Sequence, residues 1–127
     1  VNHRTARTAS ILVVEDDADV RALQQDLLTD AGYHVYVATN GQEALALLEH
    51  NDVDLIVLDI RLPDIDGITV CEQIRIGRHV ATPILMISAN RAHESIALAL
   101  AAGADAYLTK PFAPDALFEQ LNLLLRP

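Results

Sequence analysis

Five polar side chains stand where apolar runs stop, and their types are those of a phosphoryl-transfer site. Glu15 and Asp16 follow the run at residues 11–14 and Asp59 follows 55–58. Ser88 follows 84–87, and Lys110 follows 106–109. An apolar strand gains nothing from ending on a charge, although Asp59 taken alone could be a strand-end cap. Carboxylates crowded together repel one another. A hard divalent cation relieves that repulsion, and Mg2+ (or Mn2+ in its place) suits one or two carboxylates, a carbonyl, waters and a phosphate oxygen. The hydroxyl and the ammonium then remain as donors to an anion beside the metal. A nucleophilic carboxylate, a metal, a hydroxyl and a lysine perform phosphoryl transfer by positioning and electrostatics.

That chemistry requires the five side chains, at four strand ends, to meet, so the elements carrying them matter. Short β-branched runs at 11–14, 34–38, 55–58, 84–87 and 106–109 read as strands. Between and after them the period changes to that of a helix. Asp17 is placed as the first N-cap, with Asp19 in its first turn. Val20, Leu23 and Leu27 follow as a stripe, and Gly32 closes the helix. Asn40 and Glu43 are spaced as a capping box before Ala44, Leu45 and Leu48, with Asn51 expected as a left-handed end. Pro63 and Gly67 bracket an acidic turn in which Asp64 and Asp66 read as merely solvated. The third helix passes through Val70 and Ile74 to Gly77, with Cys71 as a small buried hydrophobe. A fourth spans 91–102, closed by Gly103. The fifth starts near Pro114 with Asp115 in its first turn, a weak cap at Ala113 and a stripe of Leu117, Leu121 and Leu124.

Strand and helix alternate five times, which implies a doubly wound α/β domain: a five-stranded parallel sheet with helices on both faces. In such a sheet every strand's carboxyl end lies on one edge, where ligands bind. The 127 residues suffice for one domain and 51% are hydrophobic, so the chain can bury an ordinary core. Residues 1–9 are polar and read as a flexible tail before the domain at 10–127. A net charge of −9 disfavours nucleic acid. One cysteine, no run of membrane-span length and no secretory signal point to the cytoplasm. The five histidines have no ligand spacing. Beginning at Val1 and stopping at Pro127 after an apolar helix pattern, the chain reads as trimmed or as one domain of something longer.

VVEDD at 13–17, LIVLDIRLPDIDG at 55–67, TPILMISA at 82–89 and GADAYLTKPF at 103–112 together resemble a response-regulator receiver domain of two-component signalling. The resemblance covers 11 to about 126. It implies the chemotaxis-regulator or flavodoxin-like fold with strand order 2-1-3-4-5, an order carried over from the family rather than read from spacing. It implies Asp59 as phosphoacceptor, served by a sensor histidine kinase or a histidine phosphotransfer protein. Asp16, Asp59 and the Arg61 backbone carbonyl would hold Mg2+, with Glu15 acting through water. Lys110 and Ser88 would bind phosphoryl oxygens, Ala89 would leave them room, and Tyr107 would follow Ser88 as a switch. Lys110-Pro111 resembles the family's cis peptide. Arg61 and Asn90 flank the approach of water and would set the lifetime of an acyl phosphate. The domain would then be no conventional enzyme, since it catalyses only its own phosphorylation and dephosphorylation.

Phosphorylation would repack the fourth helix, fifth strand and fifth helix. Ile96, Leu98 and Leu100 fall at i, i+2 and i+4, so either Leu98 or the Ile96/Leu100 pair is expected to point outward. Phe118, Leu123 and Leu125 lie beyond the fifth helix's core stripe. This face is expected to meet an output domain, a partner or a second copy. Ala106 and the absence of arginine before Arg126 in the last helix depart from the charge-interlocked dimers of the winged-helix subfamily. The rival reading is a phosphorylation-independent scaffold of the same fold. An aspartyl-phosphate phosphatase would want an acid where Arg61 stands, and a flavodoxin-like carrier would find its phosphate repelled by residues 15–17.

Overall fold

A computed structural model describes residues 8–126. The elements run β1 (Ser10–Val14), α1 (Ala18–Asp30), β2 (His34–Ala38), α2 (Gly41–His50) and β3 (Leu55–Asp59), and continue as α3 (Gly67–Ile76), β4 (Ile84–Ser88), α4 (His93–Ala101), β5 (Ala106–Thr109) and α5 (Pro114–Leu124). The strands form one parallel sheet in the order β2-β1-β3-β4-β5. The doubly wound five-stranded architecture expected from the sequence is therefore present. The expected tail at 1–9 lies mostly outside the described residues, but the Ala9 carbonyl already accepts the His34 N–H at 2.9 Å.

Side-chain alternation divides the core. Leu12, Val14, Ile56, Leu58, Ile84 and Met86 point to the face covered by α2, α3 and α4. Ile11, Val13, Leu55, Val57, Leu85 and Ile87 point to the face covered by α1 and α5. Every residue of β3 and β4 is buried, including Asp59 and Ser88. Register then levels the ends: Val14 pairs with Leu58, Asp59 with Ile87 and Ser88 with Thr109.

Several local expectations need correction. Leu23 is 61% exposed, and α1 buries Gln24 and Leu28 instead. Packing decides which face of α1 turns inward, and that choice is invisible to periodicity. Asn51 is extended (φ −133°, ψ 140°) rather than left-handed, and closes α2 by donating its side-chain amide to the Leu47 carbonyl at 2.9 Å. Glu43 reaches one residue further back than a standard capping box, to the Thr39 N–H at 2.7 Å. The fourth helix starts at His93, because residues 91–92 precede it in non-helical backbone. Asp64 and Asp66 are not merely solvated. Asp66 caps α3 through the Thr69 N–H at 2.9 Å, and Asp64 accepts the Gly41 and Gln42 N–H groups, both at 2.8 Å.

Gly67 shows how tightly the third crossover is drawn. Its N–H donates to the Ile60 carbonyl at 2.7 Å, and a Cβ built there would lie 2.4 Å from the Asp59 carbonyl oxygen. Only a residue without a side chain lets α3 begin against the end of β3. Gly77 has open space, with nothing nearer than 4.0 Å to a built Cβ. Gly67→Ala is expected to cost about 1–3 kcal/mol by overpacking, whereas Gly77→Ala stays within about 0.5 kcal/mol. Urea denaturation of the two variants beside the parent checks the contrast.

Candidate functional site: an acidic pocket at the strand ends

The site is assembled from backbone that continues the sheet past its strands. The Glu15 N–H donates to the Ala38 carbonyl at 3.1 Å, Ile60 to Ile87 at 3.1 Å, and Lys110 to Ser88 at 2.9 Å. These bonds hold the residues just beyond β1, β3 and β5 in register with their neighbours. Asp17, as the α1 N-cap, accepts the Asp19 and Val20 N–H groups, both at 3.0 Å, and so takes the third acid of the run out of the pocket. Arg21 donates to the carbonyls of Glu15 and Asp16 at 2.9 and 3.2 Å. It pins the acidic turn to α1, and its position one turn into the helix was the signal available in the sequence.

Within the pocket, Lys110 bridges two buried carboxylates. Its Nζ lies 2.7 Å from Glu15 Oε1 and 2.8 Å from Asp59 Oδ2. The other oxygen of Asp59 accepts the Arg61 N–H at 3.1 Å, and the other oxygen of Glu15 accepts the Asp17 N–H at 3.2 Å. Burial pushes the Glu15 carboxyl up; Lys110 pulls it back and the Asp59 charge pushes it up again, leaving it above the ordinary range. Burial alone would lower the Lys110 ammonium, but hydrogen bonds and charge from Asp59 and Glu15 outweigh it and raise it, so it stays protonated.

One oxygen each of Glu15, Asp16 and Asp59 can be chosen so that all lie within 4.8 Å of one another. Two oxygens of a Mg2+ octahedron are separated by at most about 4.2 Å, so small side-chain movements suffice to hold such an ion. The donor set fits as well, being all oxygen, with Asp16 exposed to receive an ion from solvent. Lys110 already occupies a cation's place between two of the three acids.

Ser88 is buried, and its Oγ accepts the Asn90 N–H at 3.1 Å. Beside it a cleft of about 290 Å³ is lined by Ile60, Arg61, Ser88, Ala89, Asn90 and Ser95. Arg61 and Asn90 therefore face the same space, and Ser95 on α4 joins them although nothing in its spacing had drawn attention to it. Tyr107 is half-buried, with its hydroxyl donating to the Asn90 carbonyl at 2.8 Å. The Lys110–Pro111 peptide is cis.

The expected interface residues do not behave as a set. Ala99 is the α4 residue that turns inward, so Leu98 (61%) and Leu100 (47%) are both exposed, and the either-or expectation for this helix was too strict. Ile96 is half-buried. Leu123 is 53% exposed, while Phe118 and Leu125 are half-buried and pack in part against the α1/α5 core.

Comparison with known proteins agrees with this geometry. Residues 11–122 match the profile of the response regulator receiver domain. The chain is 45% identical over 116 residues to the transcriptional regulatory protein TcrA of Mycobacterium tuberculosis, covering 91% of this chain and 46% of that one. It is 43% identical over 116 residues to the alkaline phosphatase synthesis transcriptional regulatory protein PhoP of Bacillus subtilis, covering 91% and 48%. The chain thus spans about half the length of these curated relatives. Among solved structures, the chemotaxis response regulator CheY4 of Vibrio cholerae superposes with a TM-score of 0.89 at 33% identity, covering 94% of this chain and all of that one.

The two buried acids depend on their shared cation. Lys110→Ala is expected to lower stability by about 1–3 kcal/mol in chelator, less than for a fully buried pair because the lysine side chain is 25% exposed. Added Mg2+ is expected to raise the variant's melting temperature more than the parent's. Thermal scans with and without the ion check both statements.

Proposed function

The chain belongs to the response regulator receiver domain family, the phosphorylation-dependent switches of two-component signalling, and from that premise we propose that Asp59 is its phosphoacceptor. The observation that carries the reading is Lys110 bridging Asp59 and Glu15, with an oxygen of Asp16 within the same small cluster. A nucleophilic carboxylate lies against a donor for the incoming phosphoryl group and beside acids that can hold a metal.

Glu15, Asp16 and Asp59, joined by the Arg61 carbonyl, would hold Mg2+ or Mn2+. When bound, the ion offsets the charge of phosphoryl oxygens and of the carboxylates around them. Asp59 Oδ attacks phosphorus on a phosphohistidine of a kinase or phosphotransfer protein. The O–P bond forms as the P–N bond breaks, and the imidazole leaves with the electron pair. Lys110 moves from the carboxylates to a phosphoryl oxygen, and the Ser88 hydroxyl donates to another. Ala89, with no side chain beyond Cβ, leaves space in the cleft. Hydrolysis of the acyl phosphate returns Asp59, with water entering past Arg61 and Asn90. The chain is on this reading no conventional enzyme, since its own aspartate is the substrate.

Ser88 is linked through Asn90 to Tyr107, whose hydroxyl rests on the Asn90 carbonyl. Drawing Ser88 toward a phosphoryl group disturbs both bonds, so Tyr107 serves as the switch and α4, β5 and α5 as the output face. Leu98, Leu100 and Leu123 are the exposed large apolar residues there, for a second copy, a partner or an output domain. The relatives called transcriptional regulators are about twice as long, which supports an output carried outside this domain. Acidity argues against nucleic acid binding by the domain itself. Among the described residues no helix is long and apolar enough to cross a membrane, and a cytoplasmic setting fits a kinase-fed switch.

With Mg2+ and a small acyl phosphate or phosphoramidate, the protein is expected to gain the mass of one phosphoryl group, and Asp59→Asn to gain none. No gain in the parent would favour the phosphorylation-independent scaffold. For the output face, light scattering in the phosphorylated state is expected to show concentration-dependent association that Leu98→Ser or Leu123→Ser weakens. A constant monomer mass in both states, with no partner captured, counts against that face.

A further inference from the structure

The loop between β3 and α3 carries the Arg61 carbonyl, and its two ends are held locally, one by the Asp59 carboxylate and one by backbone. At one end the Arg61 N–H bonds to Asp59, and at the other the Gly67 N–H bonds to the Ile60 carbonyl. Its middle is held by something else. Asp64 reaches across to the start of α2, where Oδ1 accepts the Gly41 N–H and Oδ2 the Gln42 N–H, both at 2.8 Å. Next to it Ile65 packs into the α2–α4 core. A Cβ built on Gly41 would lie 2.7 Å from Val70 Cγ2 on α3 and 3.2 Å from Ile65 Cβ, so the absence of a side chain at Gly41 admits both α3 and this loop. Desolvation pulls the Asp64 carboxyl upward, but the N–H groups of Gln42 and Gly41 prevail and hold it below the usual carboxylate range.

We propose that Asp64 is a positioning residue for the metal site: by binding the first turn of α2 it fixes the β3–α3 loop so that the Arg61 carbonyl is presented to the cation. Pro63, with its fixed φ, stands between them and stiffens the connection. Asn40 caps α2 through its Oδ1, which accepts the Glu43 N–H at 2.8 Å, and Asp64 takes the Gly41 and Gln42 N–H groups that this cap leaves, so the bonds that complete the cap also tie the loop to α2. Asp64 is a second acceptor set, brought to that helix from 23 residues away. The inference rests on the reading of Glu15, Asp16, Asp59 and the Arg61 carbonyl as a metal site.

The two caps allow a controlled test by calorimetric Mg2+ titration of the unphosphorylated chain. Asp64→Ala is expected to weaken Mg2+ binding about tenfold, the low end of what removing a supporting partner of a metal ligand costs. Asp64→Asn, which keeps one acceptor oxygen, falls between it and the parent. Asn40→Ala also removes a cap from α2 but leaves the loop tied, so its Mg2+ affinity is expected to match the parent's even if its melting temperature falls. Parent-like affinity in Asp64→Ala, or equal weakening in Asn40→Ala, overturns the role of Asp64 while leaving the metal site standing. A parent chain that binds no Mg2+ overturns both.

Discussion

The pocket depends on one ammonium between two buried carboxylates. Like charges about 4 Å apart repel by about 4 kcal/mol at the effective dielectric of a protein surface, a large fraction of a domain's stability. Glu15 and Asp59 tolerate that proximity because Lys110 bonds to both and stays protonated while doing so. The bridge is possible only because β1 lies beside β3 and because β5, two strands away, ends on a side chain long enough to reach back. A shorter side chain at position 110 would leave the acids without that partner. The same excess of negative charge that costs stability is what makes the pocket suited to a metal and a phosphoryl group.

Around that bridge the two faces of the molecule differ in how they are secured. On the α2–α4 face the loop after Asp59 is tied at Gly67, Asp66 and Asp64, so the acceptor end of β3 sits in well-braced backbone. The fourth helix is braced at its C-terminal end from α3. Arg75 reaches from α3 to the Gly103 carbonyl at 3.0 and 2.8 Å and to Asp105 at 2.9 Å, and it also takes the carbonyls of His79 and Thr82. Gly103, at φ +115°, turns the chain there. At the opposite end Ala92, the residue before His93, provides no side-chain cap, and its own N–H rests on Asn90 Oδ1 at 2.8 Å, two residues beyond Ser88. A helix start without a side-chain cap forgoes about 1 kcal/mol of stabilisation next to the hydroxyl of the site.

The sequence by itself determined the alternation of strands and helices, the identities of the five polar side chains at the strand ends and most helix starts. Each rests on local rules: a β-branched run, a short polar side chain that satisfies its own helix's N–H groups, a proline at the first turn. It also carried the fold class, because five alternations with short connections leave few right-handed parallel arrangements. What tertiary structure decided lies where one segment satisfies another. Asp64 looked idle because its partners, Gly41 and Gln42, precede it by more than twenty residues. Arg75 likewise acts on the Gly103 carbonyl, which no spacing rule connects to it. Leu23 seemed a core residue and Gln24 did not, since the inward face of α1 is settled by packing. Phe118 seemed outward, yet the core beneath α5 reaches it in part. Periodicity reports which residues share a helix face, but only packing decides which face turns inward.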